Sequence, residues 1–375
     1  MADDTLPEPD RIEGAPHPRE TPRLFGHAAA RAEFLAAFNA GRLHHAWLIT
    51  GPRGLGKATL AWTLARFLLA TPEDDGGMFA PPPPETLDIP DSHPVTARLR
   101  ALSEPRHFLL RRGLNSGETA LSADIRVDEV RKLTSFLSLT AADGGRRTVL
   151  IDAADEMNSG AANALLKLLE EPPARVTFFL ISHQPFRLLP TIRSRCRELR
   201  LTPLPASDLS DALAQAGAAV EPEARTALAE LAGGSVGEAF RLTNLDGLDL
   251  YARLVALFAT LPRLDRPKAL AIAETAAGRG NEARFDLIVT LIDLFLARLA
   301  RAGTTRETPP EAAPGEAALF ARLAPDAHSA RTWADLAQTL GLRARRGKAV
   351  NLDPAALLMD MVLKIDETAG SLALR

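Results

Sequence analysis

The sequence predicts an α/β domain built on a parallel sheet with helices on both faces, followed by a region that is helical throughout. Between residues 27 and 182, short apolar runs alternate with amphipathic stretches, which is the pattern of strand–helix–strand units. After Pro203 the strand patterns fade, and long amphipathic stretches continue to the end of the chain. With 46% hydrophobic and 24% charged residues, the composition is that of an ordinary globular protein.

Each predicted strand is a short apolar run bounded by turn residues, and each predicted helix carries apolar residues at helical spacing. The predicted strands are 45–50, 106–111, 147–152 and 176–182, and the predicted helices are 27–39, 59–70, 125–139 and 159–171. The last of these helices ends at two prolines, Pro172 and Pro173, which the helical backbone cannot accommodate.

Composition also suggests where the domains begin and end. Residues 1–22 are acidic and rich in proline, which predicts a disordered lead. The α/β domain is expected over 23–204, interrupted by an exposed loop at 71–94 that contains four consecutive prolines. A small helical unit is predicted over 205–246 and a larger all-helical domain over 247–375.

The charge and cysteine content restrict the classes of protein that remain. The net charge is −3, so any affinity for nucleic acid must come from local basic patches. Cys196 is the only cysteine and cannot form an internal disulfide, which favours a reducing, cytoplasmic compartment. The sequence contains no run of 18 apolar residues, so no membrane span is expected.

A glycine-rich motif, GPRGLGKA at 51–58, follows the first predicted strand and opens a helix. This is the context of a P-loop, whose backbone N–H groups surround phosphate oxygens while Lys57 adds a positive charge. The motif normally continues with Ser or Thr, whose hydroxyl holds Mg²⁺, but this chain has Ala58. Thr59 comes one residue later, about 100° around the helix, and is not expected to replace it.

A second acidic motif ends the third predicted strand at Asp152, where a P-loop protein places its metal-directing carboxylate. A strand-end acid that makes only a local cap remains the alternative for this residue. Ala153 follows directly, at the position where hydrolysing enzymes of this type carry a glutamate that acts on the attacking water. Asp155 and Glu156 come later in the chain and are not expected to be in line with the attacking water. Loss of a general base costs about 10²- to 10⁴-fold in rate, so little or no intrinsic hydrolysis is expected.

Two further segments resemble bacterial clamp-loader subunits of the AAA+ family. The run NALLKLLEEPP at 163–173 resembles the helix and stop of that family, and LLPTIRSRC at 188–196 resembles its arginine-finger element. With the P-loop region, these segments cover about half of the chain. The resemblance implies an AAA+ domain, a helical lid over 205–246 and a helical collar over 247–375.

Three departures distinguish this chain from the ATP-hydrolysing motor subunits of that family, the tau/gamma type. The first two departures are Ala58 and Ala153. The third is Gly237, which lies in a segment where the motor subunits have a sequence similar to Gly-Ser-x-Arg-Asp-Ala and use its arginine to sense the γ-phosphate. The departures favour the delta-prime type, which completes the ring as a stator. Residues 71–105 also lack the four cysteines of a zinc module found in many relatives, so no zinc and no other metal site is predicted.

The resemblance implies that Arg195 acts in trans, completing the ATP site of a neighbouring motor subunit. A surface arginine paired with an acid such as Glu198 is the alternative. Binding of ATP or ADP by this chain is expected to be weak or vestigial. The candidate nucleotide-binding residues are Gly51, Gly54, Gly56, Lys57, Thr59, Asp152 and Ser182.

The implied partners are motor and delta subunits in a hetero-pentamer, with the sliding clamp and primed DNA reached through the complex. Polymerase chemistry would belong to the DNA polymerase III holoenzyme rather than to this chain. Two other functions remain open: an ATP-hydrolysing motor subunit of the tau/gamma type, and a non-catalytic adaptor that uses the AAA+ fold only for binding.

Several other residues allow two interpretations. Ser182 ends a strand where AAA+ proteins place a polar sensor, or it is a plain strand-terminating serine. Cys196 is expected to pack rather than react, and the histidines do not have metal-ligand spacing. The basic run at 343–348 is either a solvated helix end or a DNA contact. A DNA-facing role is likewise open for Arg111, Arg112, Arg126 and Arg131.

Overall fold

A computed structural model describes residues 8, 10–12, 14–72, 82–114, 121–139, 145–218, 220–278 and 280–374. The chain divides into two units, each with its own core. The first comprises Met1–Ala218 and Gly234–Gly237, and the second Ala219–Gly233 and Glu238–Arg375.

A parallel sheet of five strands forms the centre of the first unit, with strand order β2-β3-β4-β1-β5. The strands are β1 (Ala46–Thr50), β2 (His107–Arg111), β3 (Arg147–Asp152), β4 (Val176–Ser182) and β5 (Arg197–Arg200). Strands β1 and β4 are buried along their whole length, because helices cover the sheet on both faces.

Alternate residues of each strand contribute to two separate cores. Trp47 and Ile49 face one core, whereas Ala46 and Leu48 face the other. Helices α1 to α3 pack on the first face, and α4 to α6 on the second. The helices of this unit are α1 (Ala28–Asn39), α2 (Lys57–Ala70), α3 (Pro94–Arg100), α4 (Val127–Ser138), α5 (Ser159–Glu170), α6 (Pro190–Arg193) and α7 (Ala206–Gln215). The predicted α/β fold is thereby confirmed.

The predicted bounds of β3 and β4 agree with the structure, but β5 was not predicted. Only Leu199 of its four residues is buried, and its other residues are charged and exposed, so it has neither an apolar run nor enough length to be recognised. Helix α5 begins at Ser159, as predicted, and Asn158 caps it by accepting a hydrogen bond from the N–H of Ala161.

The first 22 residues differ from the predicted disordered lead wherever the structure describes them. His17 is only 1% exposed and packs edge-on against Trp62. Arg19 donates to the carbonyl of Arg100, 81 positions away, and pairs with Glu8 at 2.8 Å. The acidic composition that suggests disorder is matched here by basic partners from elsewhere in the fold.

The loop predicted at 71–94 falls partly on residues 73–81, which lie outside the described residues. Further along the loop, Leu87 is buried, and the side-chain amide of Asn39 donates to the carbonyl of Pro84 at 3.0 Å. This portion therefore packs against α1 and the first core.

The second unit is helical throughout its described residues. Its helices are α8 (Arg225–Ala232), α9 (Val236–Asn244, whose first two residues belong to the first unit), α10 (Gly247–Phe258), α11 (Arg266–Glu274), α12 (Glu282–Thr305), α13 (Glu316–Leu323), α14 (Ala327–Ala349) and α15 (Pro354–Ala373). Helices α12 and α14 pack along each other, and in the core Phe295 contacts Phe258 at a tilt and Phe320 edge-on. The predicted division into a lid over 205–246 and a collar over 247–375 stays a prediction.

A buried charged network holds α12 and α13 of this unit together. The guanidinium of Arg298 bonds to both carboxylate oxygens of Glu316 at 3.0 Å and to Glu230 at 2.7 Å. Glu316 is 1% exposed and also accepts from the hydroxyl of Tyr251 and from the N–H of Ala312. Burial raises the pKa of the Tyr251 hydroxyl above its usual range, and the negative charge of Glu316 adds to the effect.

We expect Arg298→Met to lower the free energy of unfolding by about 3–5 kcal/mol, because it leaves Glu316 buried without its counter-charge. Arg345→Ala is the matched control, since Arg345 pairs with Asp293 at 2.8 Å but is half exposed. Such a pair contributes about 0–1 kcal/mol. Urea denaturation of the purified chains measures both. Equal effects would contradict a structural role for the buried network.

Candidate functional site

The carboxyl ends of four strands meet at one edge of the sheet in the first unit. Thr50 ends β1 opposite Ser182 of β4, and Asp152 ends β3 opposite Arg111 of β2. Because the strands are parallel, the loop that follows β1 lies at the same edge as these side chains. The structure thus brings the predicted glycine-rich loop, Asp152 and Ser182 to a single cleft.

The glycine-rich loop has the conformation of a P-loop, but its lysine is turned onto the loop itself. Gly51, Gly54 and Gly56 have positive φ angles of 141°, 75° and 88°. The ammonium of Lys57 donates to the carbonyls of Gly51, at 2.7 Å, and of Pro52. Burial lowers the pKa of Lys57 to about 8, although the carboxylates of Asp152 and Asp155 act in the opposite direction. A phosphate would have to displace these carbonyl contacts.

The acidic side of the cleft does not provide a catalytic base. Ala153 is buried in the core beneath α2 and carries no polar group. Asp155 accepts from the N–H groups of His183 and Gln184 at 3.0 and 3.1 Å, so its carboxylate ties β3 to the end of β4. Glu156 pairs with two arginines, Arg53 at 2.9 Å and Arg112 at 3.0 Å.

Asp152 is protonated more readily than an ordinary aspartate. Burial, together with the nearby carboxylates of Asp10 and Glu156, raises its pKa to about 7 against the opposing charges of Lys57 and Arg111. A metal-directing carboxylate must be ionised to attract a cation. The protein surroundings of Asp152 therefore disfavour the charge that this role requires.

The turn at 234–237 closes over the glycine-rich loop. Gly237 donates its N–H to the carbonyl of Gly54 at 3.1 Å, and the hydroxyl of Ser235 donates to the carbonyl of Arg53 at 3.0 Å. A Cβ added at Gly237 would lie 2.8 Å from the Cα of Gly54, closer than real side chains approach. An arginine at position 237 therefore could not fit without moving the glycine-rich loop.

Residues from the first 22 positions also reach this cleft, which the sequence did not suggest. Asp10 pairs with Arg111 at 2.6 Å and with His17 at 3.1 Å. Burial alone would raise the pKa of Asp10, but His17 and Arg111 outweigh it and hold the pKa below its usual value. A Cβ at Gly237 would meet the side chain of Ile12 at 2.8 Å, so this segment lies against the closing turn.

Arg195 lies at the opposite edge of the sheet from the cleft. It precedes β5, whose register pairs Arg197 with Trp47 and Arg200 with Thr50, so it is about 10 Å or more from the end of β1. Its Nη2 pairs with Glu170 at 2.8 Å, and its Nη1 donates to the carbonyl of Thr191 at 2.9 Å. The side chain remains 35% exposed.

Comparison with known proteins agrees with the family that the sequence resembles. A family model described as "DNA polymerase III, delta subunit" matches residues 26–205. A protein of Escherichia coli called DNA polymerase III subunit delta' is 30% identical over 341 residues, which are 89% of this chain and 92% of that protein. This chain belongs to the delta' family of DNA polymerase III subunits.

Two other relatives align over shorter parts of their own length. The delta' subunit of Pseudomonas aeruginosa is 41% identical over 201 residues, 53% of this chain and 55% of that protein. A tau subunit of Salmonella typhimurium is 30% identical over 71% of this chain but only 40% of its own length. A solved structure, a gamma subunit-related protein of Thermotoga maritima, aligns over 90% of this chain at 17% identity with a TM-score of 0.35.

Several remaining candidates in this delta' family member have ordinary structural partners. Burial raises the pKa of the Cys196 thiol to about 12, so the thiol is inert. The basic run of α14 is largely paired with acids: Arg343 with Asp360, Arg345 with Asp293 and Lys348 with Asp286. These pairs favour the solvated helix end over a DNA contact.

The other basic candidates are also engaged. Arg126 donates to the carbonyl of Leu114, Arg131 pairs with Asp128 on the same helix, and Arg111 and Arg112 hold the carboxylates at the cleft. Whether any of these arginines faces DNA stays a prediction.

Ser182 and Thr59 are placed differently with respect to the cleft. The hydroxyl of Ser182 is fully buried and has no hydrogen-bond partner in the part of the chain that the structure describes. It therefore offers a free polar group at the end of β4. Thr59 lies on α2 one residue beyond Ala58, and Ala58 packs against the first core. Position 58 therefore supplies no side-chain oxygen to the cleft.

The described residues contain neither a candidate metal site nor a helix that could span a membrane. Within them, no three His, Cys, Asp or Glu side chains come together in a way that could hold a metal ion. No described helix is both long and apolar enough to cross a membrane.

We expect the stability of the delta' chain to fall between pH 4 and pH 8 because of Asp152. Its pKa is about 7 in the folded chain against 3.8 in the unfolded chain, so its contribution is fully present below pH 4 and is lost as the pH rises through 7. Asp152→Asn, which stays neutral, should gain on the order of 2–4 kcal/mol relative to wild type across this range. Urea denaturation at each pH measures the difference. A gap that does not change with pH would contradict the burial of an ionisable Asp152.

Proposed function

We propose that this chain is a stator subunit of the clamp loader of DNA polymerase III, which helps to load the sliding clamp onto primed DNA. It would do so by supplying Arg195 to the ATP site of an adjacent motor subunit. The position of Arg195 is the observation that supports this most directly. Because Arg195 and the glycine-rich loop lie at opposite edges of one sheet, the arginine cannot serve the chain's own P-loop.

The chemistry of a guanidinium suits this role. It is always charged, and its planar set of N–H donors matches the oxygens of a phosphate. Placed against a neighbour's ATP, Arg195 would neutralise the charge that develops on the transferred γ-phosphoryl group. In well-studied nucleoside triphosphatases, arginine fingers accelerate hydrolysis by about 10³- to 10⁵-fold.

The cleft of this chain fits a hydrolysable Mg²⁺–nucleotide poorly. A backbone cradle and Lys57 are present, and these could contact phosphate oxygens. The hydroxyl at position 58 and the base at position 153 are missing, Lys57 is bonded to its own loop, and Gly237 contacts Gly54. We infer that binding of ATP or ADP is weak or vestigial and that the chain does not hydrolyse ATP itself.

The partners follow from the same proposal. A subunit of the tau/gamma type would provide the ATP that Arg195 contacts, and a delta subunit would complete a hetero-pentamer. The clamp and primed DNA would then be reached through the assembled complex. A motor role is less well supported, because an arginine at position 237 would clash with the glycine-rich loop.

The test is ATP hydrolysis by a complex reconstituted with the cognate motor and delta subunits, stimulated by clamp and primed DNA. We expect Arg195→Ala to slow the site that it serves by about 10³-fold or more and to remove a large share of the steady-state rate. Lys57→Ala should change the rate little, because the cleft of this chain does not turn over.

Two outcomes would contradict the proposal. If Lys57→Ala removes the activity and Arg195→Ala is silent, the chain is a motor subunit. If neither substitution has an effect in an intact complex, the chain is an adaptor. Gel filtration of each reconstituted complex controls for assembly.

A further inference from the structure

We propose that Glu170 is a positioning residue for Arg195, which orients the guanidinium toward the phosphate of the neighbouring subunit. This inference rests on the proposed role of Arg195 in trans. It concerns a carboxylate at the end of α5, in the run NALLKLLEEPP, and a contact between this residue and the turn before β5.

Three arginines stand near one another in the chain between β4 and β5, and only one of them is anchored. Arg187 and Arg193 are exposed, and neither forms an ion pair among the described residues. Arg195 is held at two points, by the carboxylate of Glu170 and by the carbonyl of Thr191. A side chain with two fixed contacts has one preferred direction, whereas a free arginine samples many rotamers.

The two anchors come from elements that are themselves fixed. Leu165 and Leu169 bury α5 against the sheet, so the last turn of that helix is rigidly placed. Ile192 buries α6, which carries the carbonyl of Thr191. A carboxylate on a rigid helix can hold a guanidinium in the same way as outer carboxylates orient metal-bound histidines.

The contact leaves the guanidinium able to bind a second partner. Among the described residues, only Nη1 and Nη2 of Arg195 have partners, which leaves Nε and the remaining N–H groups of the five to donate to another molecule. Glu170 is 43% exposed and Arg195 35% exposed, so the pair lies where another molecule can reach it. An exposed pair of this kind adds little to stability, and its effect is expected on the direction of the arginine.

The opposite role for Glu170 is to hold Arg195 back and to compete with the phosphate. The two roles predict changes of opposite sign. If Glu170 orients Arg195, its removal slows the Arg195-dependent hydrolysis. If Glu170 competes, its removal accelerates that hydrolysis. Glu171, the next residue, is exposed and takes part in no ion pair among the described residues, which makes it a control of equal charge.

The experiment uses the reconstituted complex with clamp and primed DNA, and measures kcat and KM for the share of ATP hydrolysis that Arg195→Ala removes. We expect Glu170→Ala to lower kcat by about five- to thirty-fold with KM unchanged, because freeing the guanidinium restores part of the rotamer entropy of an arginine. Glu170→Gln keeps an acceptor oxygen and should lose less. Glu171→Ala should behave as wild type.

Repeating Glu170→Ala in the Arg195→Ala background shows whether the effect passes through the arginine. In that background, Glu170→Ala should not change the rate of ATP hydrolysis, and the complex should assemble as before. An increase in kcat, no change in kcat, or an equal loss in the Arg195→Ala background would each overturn the inference while leaving the arginine finger intact. If Arg195→Ala is itself without effect, the proposed function fails, and the role of Glu170 fails with it.

Discussion

The parallel register of the central sheet is the constraint on which the rest of the first unit depends. It aligns Thr50 with Ser182 and Asp152 with Arg111, so that one edge gathers the groups expected around a nucleotide. The same register carries Arg195 to the other edge. A single sheet therefore separates the glycine-rich cleft from Arg195, which is the separation that the proposed role in trans requires.

The changes in the cleft are physically consistent with one another. Without a hydroxyl at position 58, the cleft offers one ligand fewer to a cation, and burial of Asp152 disfavours the charge that would attract it. Lys57 satisfies its donors on the carbonyls of Gly51 and Pro52. Apart from the hydroxyl of Ser182, the polar groups of the cleft named here have partners within the chain itself.

The sequence predicted those features that rest on periodicity and on short motifs. The buried strands, the glycine-rich turn and the acid at the end of β3 each have a local pattern, and each was placed correctly. Strand β5 was not predicted, because three of its four residues are charged and exposed. The contacts of Asp10, Ile12 and His17 were not predicted, because their partners lie far along the chain and no local sequence pattern indicates them. Likewise, the sequence showed that position 237 lacks the arginine of the motor subunits. It could not show that the close approach of Gly54 leaves no room for a side chain at this position.

The approach of Gly237 to Gly54 limits which residues position 237 can accept. Any side chain there would meet the backbone of the glycine-rich loop, because an added Cβ lies 2.8 Å from the Cα of Gly54. The turn and the loop are therefore coupled, and a substitution in one requires the other to move with it.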